Sequence, residues 1–115
     1  MNKKFNSFKE FYPFYLSEHK NSICRLLHFI GSFLVILTFI LSILYDKKFL
    51  LFAPIFGYGF AWIGHFYFEK NKPATFKYPI YSFMGDWMMF KDILIRKEYI
   101  FNPKEGWYLW RIFTF

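Results

Sequence analysis

Three histidines, His19, His28 and His65, are the residues best suited to coordination chemistry in this chain. His28 opens a long apolar run and His65 comes near the end of a second. In an antiparallel pair of helices both rings therefore fall at the same end, with His19 just outside it. At ~100° per residue, Glu18, Asn21, Arg25, His28 and Ser32 share one helical face, and Tyr58, Trp62, His65 and Glu69 share another. Facing lipid, every one of those groups would be unpaired in hydrocarbon, so the two stripes are expected to face each other. His19 precedes His28 by nine residues, which on a straight helix sets them on opposite sides. The chain must bend between Lys20 and Ser22 for both to reach one site. Neutral imidazoles converging in an apolar cavity suit a first-row transition metal, whether iron, zinc, copper or nickel, with a carboxylate to complete or orient the set. Glu69, one turn after His65, is the candidate for that role. Arg25 is placed to pair with Glu18 or Glu69, or to hold an anionic headgroup.

The elements that must position these residues are written in the composition. Of 115 residues, 56% are apolar and 28% aromatic, while 20% are charged; disorder requires the opposite balance. The stretches 26–45 and 49–68 contain no formally charged residue. Each is about 20 residues, which as helix spans the ~30 Å hydrocarbon layer. A soluble chain this short cannot wrap two helices that are apolar on every side, so a transmembrane hairpin turned at Asp46-Lys47-Lys48 is expected. Lys9, Glu10, Pro13 and Glu18 interrupt the N-terminal region before any long apolar run, unlike a cleaved signal peptide. The lone Cys24 forms no internal disulfide and reads as a small buried thiol. Thirteen of the 15 Lys and Arg residues flank the hairpin and only Lys47 and Lys48 sit in its turn, which directs both termini to the cytoplasm. The net charge of +7 then reads as attachment to an anionic leaflet. No RNA- or DNA-binding motif competes, and no nucleic-acid partner is expected.

The flanks carry start and stop signals. Ser7-Phe8-Lys9-Glu10 has the form of a capping box, Asn71-Lys72-Pro73 stops the second span, and Pro79 suits the first turn of another helix. The expected fold is all-α: one membrane-embedded domain over 1–115, with an N-terminal interfacial helix, transmembrane helices at 26–45 and 49–68, and a third helix at 79–97 that is re-entrant or interfacial on the cytoplasmic side. Trp107, Tyr108, Trp110 and Phe113 read as an interfacial aromatic anchor. Gly57, Ala61 and Gly64 share a face suited to close helix packing; Gly57-Tyr58-Gly59 lacks the strand that a dinucleotide loop requires.

Two stretches, FYPFYLSEHKNSICRLLHFIG (11–31) and GYGFAWIGHFYFEKNKPATFKYPIYSFMGDWMM (57–89), resemble the signature blocks of the small membrane-embedded 2-hydroxy fatty acid dioxygenase family. Within them, W-I-G-H-x-x-x-E-K-N-K-P-A from Trp62 and H-x8-H from His19 carry most of the likeness. The resemblance implies an iron(II) enzyme that shortens 2-hydroxy fatty acids by one carbon in fatty acid α-oxidation, with His19, His28 and His65 as metal ligands. Glu69 and Arg25 would then assist the reaction, and Arg25, Asn21, Tyr58, Trp62 and Asp86 would contact substrate. Three protein ligands leave three positions on a six-coordinate ion, enough for two oxygens of a 2-hydroxy acid and for dioxygen. The implied partners are a long-chain 2-hydroxy fatty acid, O2 and the bilayer; the implied location is the cytoplasmic membrane of a bacterium or the endoplasmic reticulum of a eukaryote. A non-catalytic metal-binding or structural membrane module, and a haem protein with His28 and His65 as axial ligands, are the alternatives from other classes.

Overall fold

A short helix opens the chain because Ser7 Oγ accepts a hydrogen bond from the Glu10 N–H at 3.2 Å, satisfying one of the free amides of a helix start. This computed structural model describes residues 5–100; the aromatic anchor expected at Trp107, Tyr108, Trp110 and Phe113 lies outside them, as do Lys3, Lys4, Lys104 and Arg111. The described residues form four α-helices and no strand: α1 Phe8–Ser17, α2 Ser22–Leu44, α3 Ala53–Ile63 and α4 Pro79–Leu94.

α2 begins four residues before the expected 26, at the cap that Asn21 supplies: its Oδ1 accepts from the N–H groups of Ile23 and Cys24 at 2.9 and 3.1 Å. The break between α1 and α2 contains the bend expected near Lys20. After α2, Asp46 caps a 3-10 segment, Lys47–Phe52, by accepting from the Lys48 N–H. Pro54 sits in the first turn of α3, where its missing N–H costs nothing. The helix then widens into a π segment, Gly64–Glu69. The second apolar stretch is thus a composite of 3-10, α and π turns over Lys47–Glu69 and not one regular α-helix. α4 starts at Pro79 as expected and stops at Leu94, three residues early, because Arg96 adopts φ 65° and the N–H groups of Lys97 and Glu98 turn back to the Asp92 carbonyl.

Ser22–Leu44 and Lys47–Glu69 are each 23 residues, long and apolar enough to cross a membrane. Only 22% and 17% of their most apolar windows are buried, so they do not have the enclosure of a soluble protein's core helices. α2 and α3 pack on each other at small residues. A Cβ on Gly31 would stand 2.8 Å from the Phe56 carbonyl oxygen, and one on Gly64 would stand 3.0 Å from Cys24 Sγ. Gly57 is looser, its nearest neighbour being Val35 Cγ2 at 3.5 Å.

At one end of this pair, α1 packs against α4. Phe11 and Tyr15, four residues apart and so on one face, are fully buried beside Met89 and Ala74. Burying each such ring contributes roughly 1.5–3 kcal/mol. Gly85 lets the two helices approach, since a Cβ there would meet the Tyr15 ring at 2.7 Å. Two hydroxyl-to-carboxylate hydrogen bonds tie the helices further: Tyr12 donates to Asp92 Oδ2 at 2.8 Å, and Tyr15 donates to Asp86.

Candidate metal centre

His19 follows α1, His28 lies in the second turn of α2, and His65 lies at the start of the π segment. All three are buried, at 1%, 6% and 2% exposure. One ring nitrogen from each lies within 4.8 Å of the other two. Their ring centroids are 4.4, 4.4 and 5.0 Å apart, with rings nearly perpendicular.

The second nitrogen of each ring determines the chemistry. His19 Nδ1 donates to the Tyr15 carbonyl at 2.6 Å and His28 Nδ1 to the Cys24 carbonyl at 2.9 Å. His65 Nδ1 donates to Asn71 Oδ1 at 2.7 Å. Each partner oxygen accepts, so in the neutral ring the proton sits on Nδ1 and Nε2 keeps a lone pair. His19 Nε2 and His28 Nε2 are then two acceptors only 3.1 Å apart. Two facing lone pairs in a buried site repel unless a cation lies between them. A cavity of about 20 Å³ adjoins the three rings, which is room for one water-sized guest. The donor set therefore fits a metal ion. Burial and the neighbouring rings hold His19 well below the usual imidazole range, which keeps it in the neutral form a metal requires.

Local structure explains how these rings meet. Tyr15 stacks on His19 with centroids 4.0 Å apart. Lys70 takes a left-handed conformation, φ 60°, and the Asn71 N–H returns to the His65 carbonyl at 3.0 Å. Asn71 thereby reaches His65 with its Oδ1 and donates from Nδ2 to the Glu18 carbonyl at 3.1 Å, tying the end of the second stretch to the loop carrying His19. The sequence reading used Asn71 only as a helix stop; an amide six residues after a candidate ligand, just past the helix end, was the available signal. Asn71→Ala is expected to weaken metal binding 10–100-fold, the usual effect of losing a ligand's supporting partner, as read by competition titration with a metal indicator.

The other expected site residues divide. Tyr58, Trp62 and Asp86 line the cavity at the rings. Glu69 stands outside the nitrogen cluster and accepts a hydrogen bond from the Asn21 N–H. Its carboxylate is taken up there by the start of α2, a partner 48 residues away in the chain. Asn21 is occupied as the α2 cap and does not line the cavity. Arg25 is held at the edge: its Nε donates to the His19 carbonyl at 2.6 Å, and its Nη1 bonds Glu98 at 2.8 Å and the Tyr99 carbonyl at 2.9 Å. Glu69, Asn21 and Arg25 thus make their contacts at the edge of the histidine cluster.

Ser82 was missed altogether. It is 2% exposed, lines the same cavity, and its Oγ has no hydrogen-bond partner among the described residues. A buried hydroxyl without a partner is one that a guest can satisfy. One turn further along α4, burial pushes the Asp86 carboxyl up to about 7 despite the Tyr15 hydrogen bond, which pulls the other way. The proton is therefore held more tightly in the folded protein than in the unfolded one, whose value is 3.8. That stabilisation is complete below 3.8 and is lost as pH rises through about 7. Asp86→Asn removes this dependence, so thermal unfolding in detergent is expected to show the variant gaining stability over wild type between pH 5 and pH 8. An offset that stays constant with pH would contradict this.

The sequence matches the family model described as 2-hydroxy-palmitic acid dioxygenase Mpo1-like over residues 5–98. The chain belongs to the Mpo1-like family. No curated protein and no solved structure matches it. The match spans every element that builds the centre of this Mpo1-like chain, from α1 through α4. The family description suggests a dioxygenase-related role, and the buried histidines provide a place where a metal ion can be held.

Proposed function

We propose that this Mpo1-like chain is an iron(II)-dependent dioxygenase that shortens long-chain 2-hydroxy fatty acids by one carbon, the first step at which α-oxidation cleaves C1 from C2. The observation that supports the reading best is the convergence of three neutral imidazoles whose Nδ1 protons are all engaged elsewhere. The family description names the substrate class. Iron(II) held there supplies electrons to dioxygen and open positions for substrate oxygens. One O2 and one 2-hydroxy acid balance to the acid one carbon shorter, CO2 and water. The substrate provides the electrons, so no 2-oxoglutarate, haem or nicotinamide is consumed.

The protein's own residues orient and enclose. Nδ1 contacts aim the three rings, Tyr58 and Trp62 wall the cavity against water, and Ser82 and Asp86 present hydrogen-bonding groups toward the substrate's polar end. A haem between His28 and His65 would need space that the His19 ring fills, 4.4 Å from each.

In this reading the two apolar stretches cross the bilayer with both termini in the cytoplasm, and the centre lies beneath the inner headgroups. α4 lies along the interface with Ile80, Phe83 and Met84, all exposed, turned to lipid. Flanking lysines and arginines contribute roughly 1 kcal/mol each toward an anionic leaflet.

The deciding experiment is anaerobic reconstitution of detergent-purified protein with Fe(II), followed by 2-hydroxypalmitate and O2, with products read by mass spectrometry. Pentadecanoate well above a His65→Ala control is expected. Product equal to that control, or a strong Soret band in the optical spectrum, overturns the assignment.

A further inference from the structure

A second cavity, of about 240 Å³, lies between α2, α3 and α4. It adjoins the first: His28, Gly57, Tyr58 and Asp86 line both. Its polarity is graded. His28, Ser32, Tyr58 and Asp86 cluster toward the imidazoles, while the far end is formed by Val35, Phe39 and Ala53. Phe39 follows His28 by eleven residues, about 16 Å of helix. Apolar spaces of about 150 Å³ accept an apolar guest; this one is larger and is partly open, Phe39 and Tyr58 of its lining being half exposed. Gly57 keeps the junction open, because it places no side chain between the two spaces and even a Cβ would touch only Val35.

We propose that this cavity holds the alkyl chain of the acid whose polar end meets the imidazoles, and that Phe39 and Ala53 set the chain length accepted. The size of the space, about 240 Å³, favours this occupant over a bilayer phospholipid, since it has room for one alkyl chain and not for two. The cavity also runs from the histidine end toward the middle of the hairpin, the direction in which an acyl chain lies when its headgroup stays at the membrane surface. The inference rests on the proposed reaction for the identity of the acid.

The test uses the full chain in nanodiscs without added metal. A 2-hydroxyhexadecanoate probe with a terminal diazirine is photolysed and its adducts are mapped by mass spectrometry. Adducts at Val35, Phe39, Ala53 and Pro54, reduced severalfold by excess unlabelled acid, are the expected result. Adducts confined to outward residues such as Ile43 and Ile55, or labelling that the acid does not displace, overturn the proposal. In the iron-loaded enzyme, Ala53→Phe should favour the twelve-carbon over the sixteen-carbon acid and Phe39→Ala the reverse. Each change is expected to be roughly tenfold in relative kcat/KM, the value of about two buried methylenes. Ile43→Phe, which adds the same ring on the outer surface, should not shift the preference. Unchanged preference in both cavity variants also counts against the proposal. Competable labelling without any turnover would retain the chain site and remove the reaction; turnover with labelling only elsewhere would do the opposite.

Discussion

His28→Leu is expected to abolish metal retention and turnover while leaving the metal-free protein at least as stable as wild type. Removing a supporting partner costs a metal site roughly 10–100-fold, and removing a ligand costs more. Purified, Fe(II)-treated variant should therefore carry well under one equivalent of iron by elemental analysis. The stability arm separates a ligand from a structural histidine. In wild type without metal, His19 Nε2 and His28 Nε2 face each other at 3.1 Å, and leucine of comparable bulk removes one of the repelling lone pairs. The Cys24 carbonyl that His28 engages is a helix carbonyl with its own backbone donor in α2, so little is left unpaired. A large fall in unfolding temperature of the chelator-treated variant would mean that His28 holds the fold and not a metal.

Gly31→Ala is expected to destabilise the α2–α3 pair by about 3 kcal/mol, toward the upper end of overpacking costs. The added Cβ would meet the Phe56 carbonyl oxygen at 2.8 Å and Phe60 Cβ at 3.1 Å. The first is backbone and cannot rotate away, so α3 must retreat from α2. Because His65 follows α3 and His28 belongs to α2, the same retreat should spread the nitrogens and weaken metal binding. Gly59→Ala is the matched control: nothing lies within 4 Å of its Cβ, and replacing glycine inside a helix favours folding by up to about 1 kcal/mol. Denaturant titration in mixed micelles, with metal occupancy measured on the same samples, checks both arms. Equal stabilities for the two alanine variants would show that the close approach at Gly31 is not structurally important.

The glycine pattern shows where sequence reasoning loses its hold. The spacing of Gly57, Ala61 and Gly64 pointed to a packing face on the second stretch. Gly64 is indeed tight against Cys24, but Gly57 is loose, and the tightest contact of the pair involves Gly31, which no spacing singled out. A small residue becomes a contact point only once the crossing of two helices is known. Glu69 makes the same point from the other side: its carboxylate accepts from the Asn21 N–H, a partner 48 residues away that no helical period discloses.

By itself the sequence determined an all-helical chain with two long apolar stretches and three histidines at a common depth. Those properties rest on local quantities: the run length of apolar residues, the helical period, and the distance of each histidine from the end of its run. Only the tertiary structure decided that Asn71 aims His65, that Glu69, Asn21 and Arg25 are engaged at the rim, that Ser82 has no hydrogen-bond partner among the described residues, and that a graded cavity adjoins the rings. Each of these depends on a meeting between segments far apart in the chain, such as Asn71 with Glu18 or Arg25 with Glu98. Hydrogen bonds and close packing act over a few ångströms, so their partners exist only after the helices have chosen their neighbours.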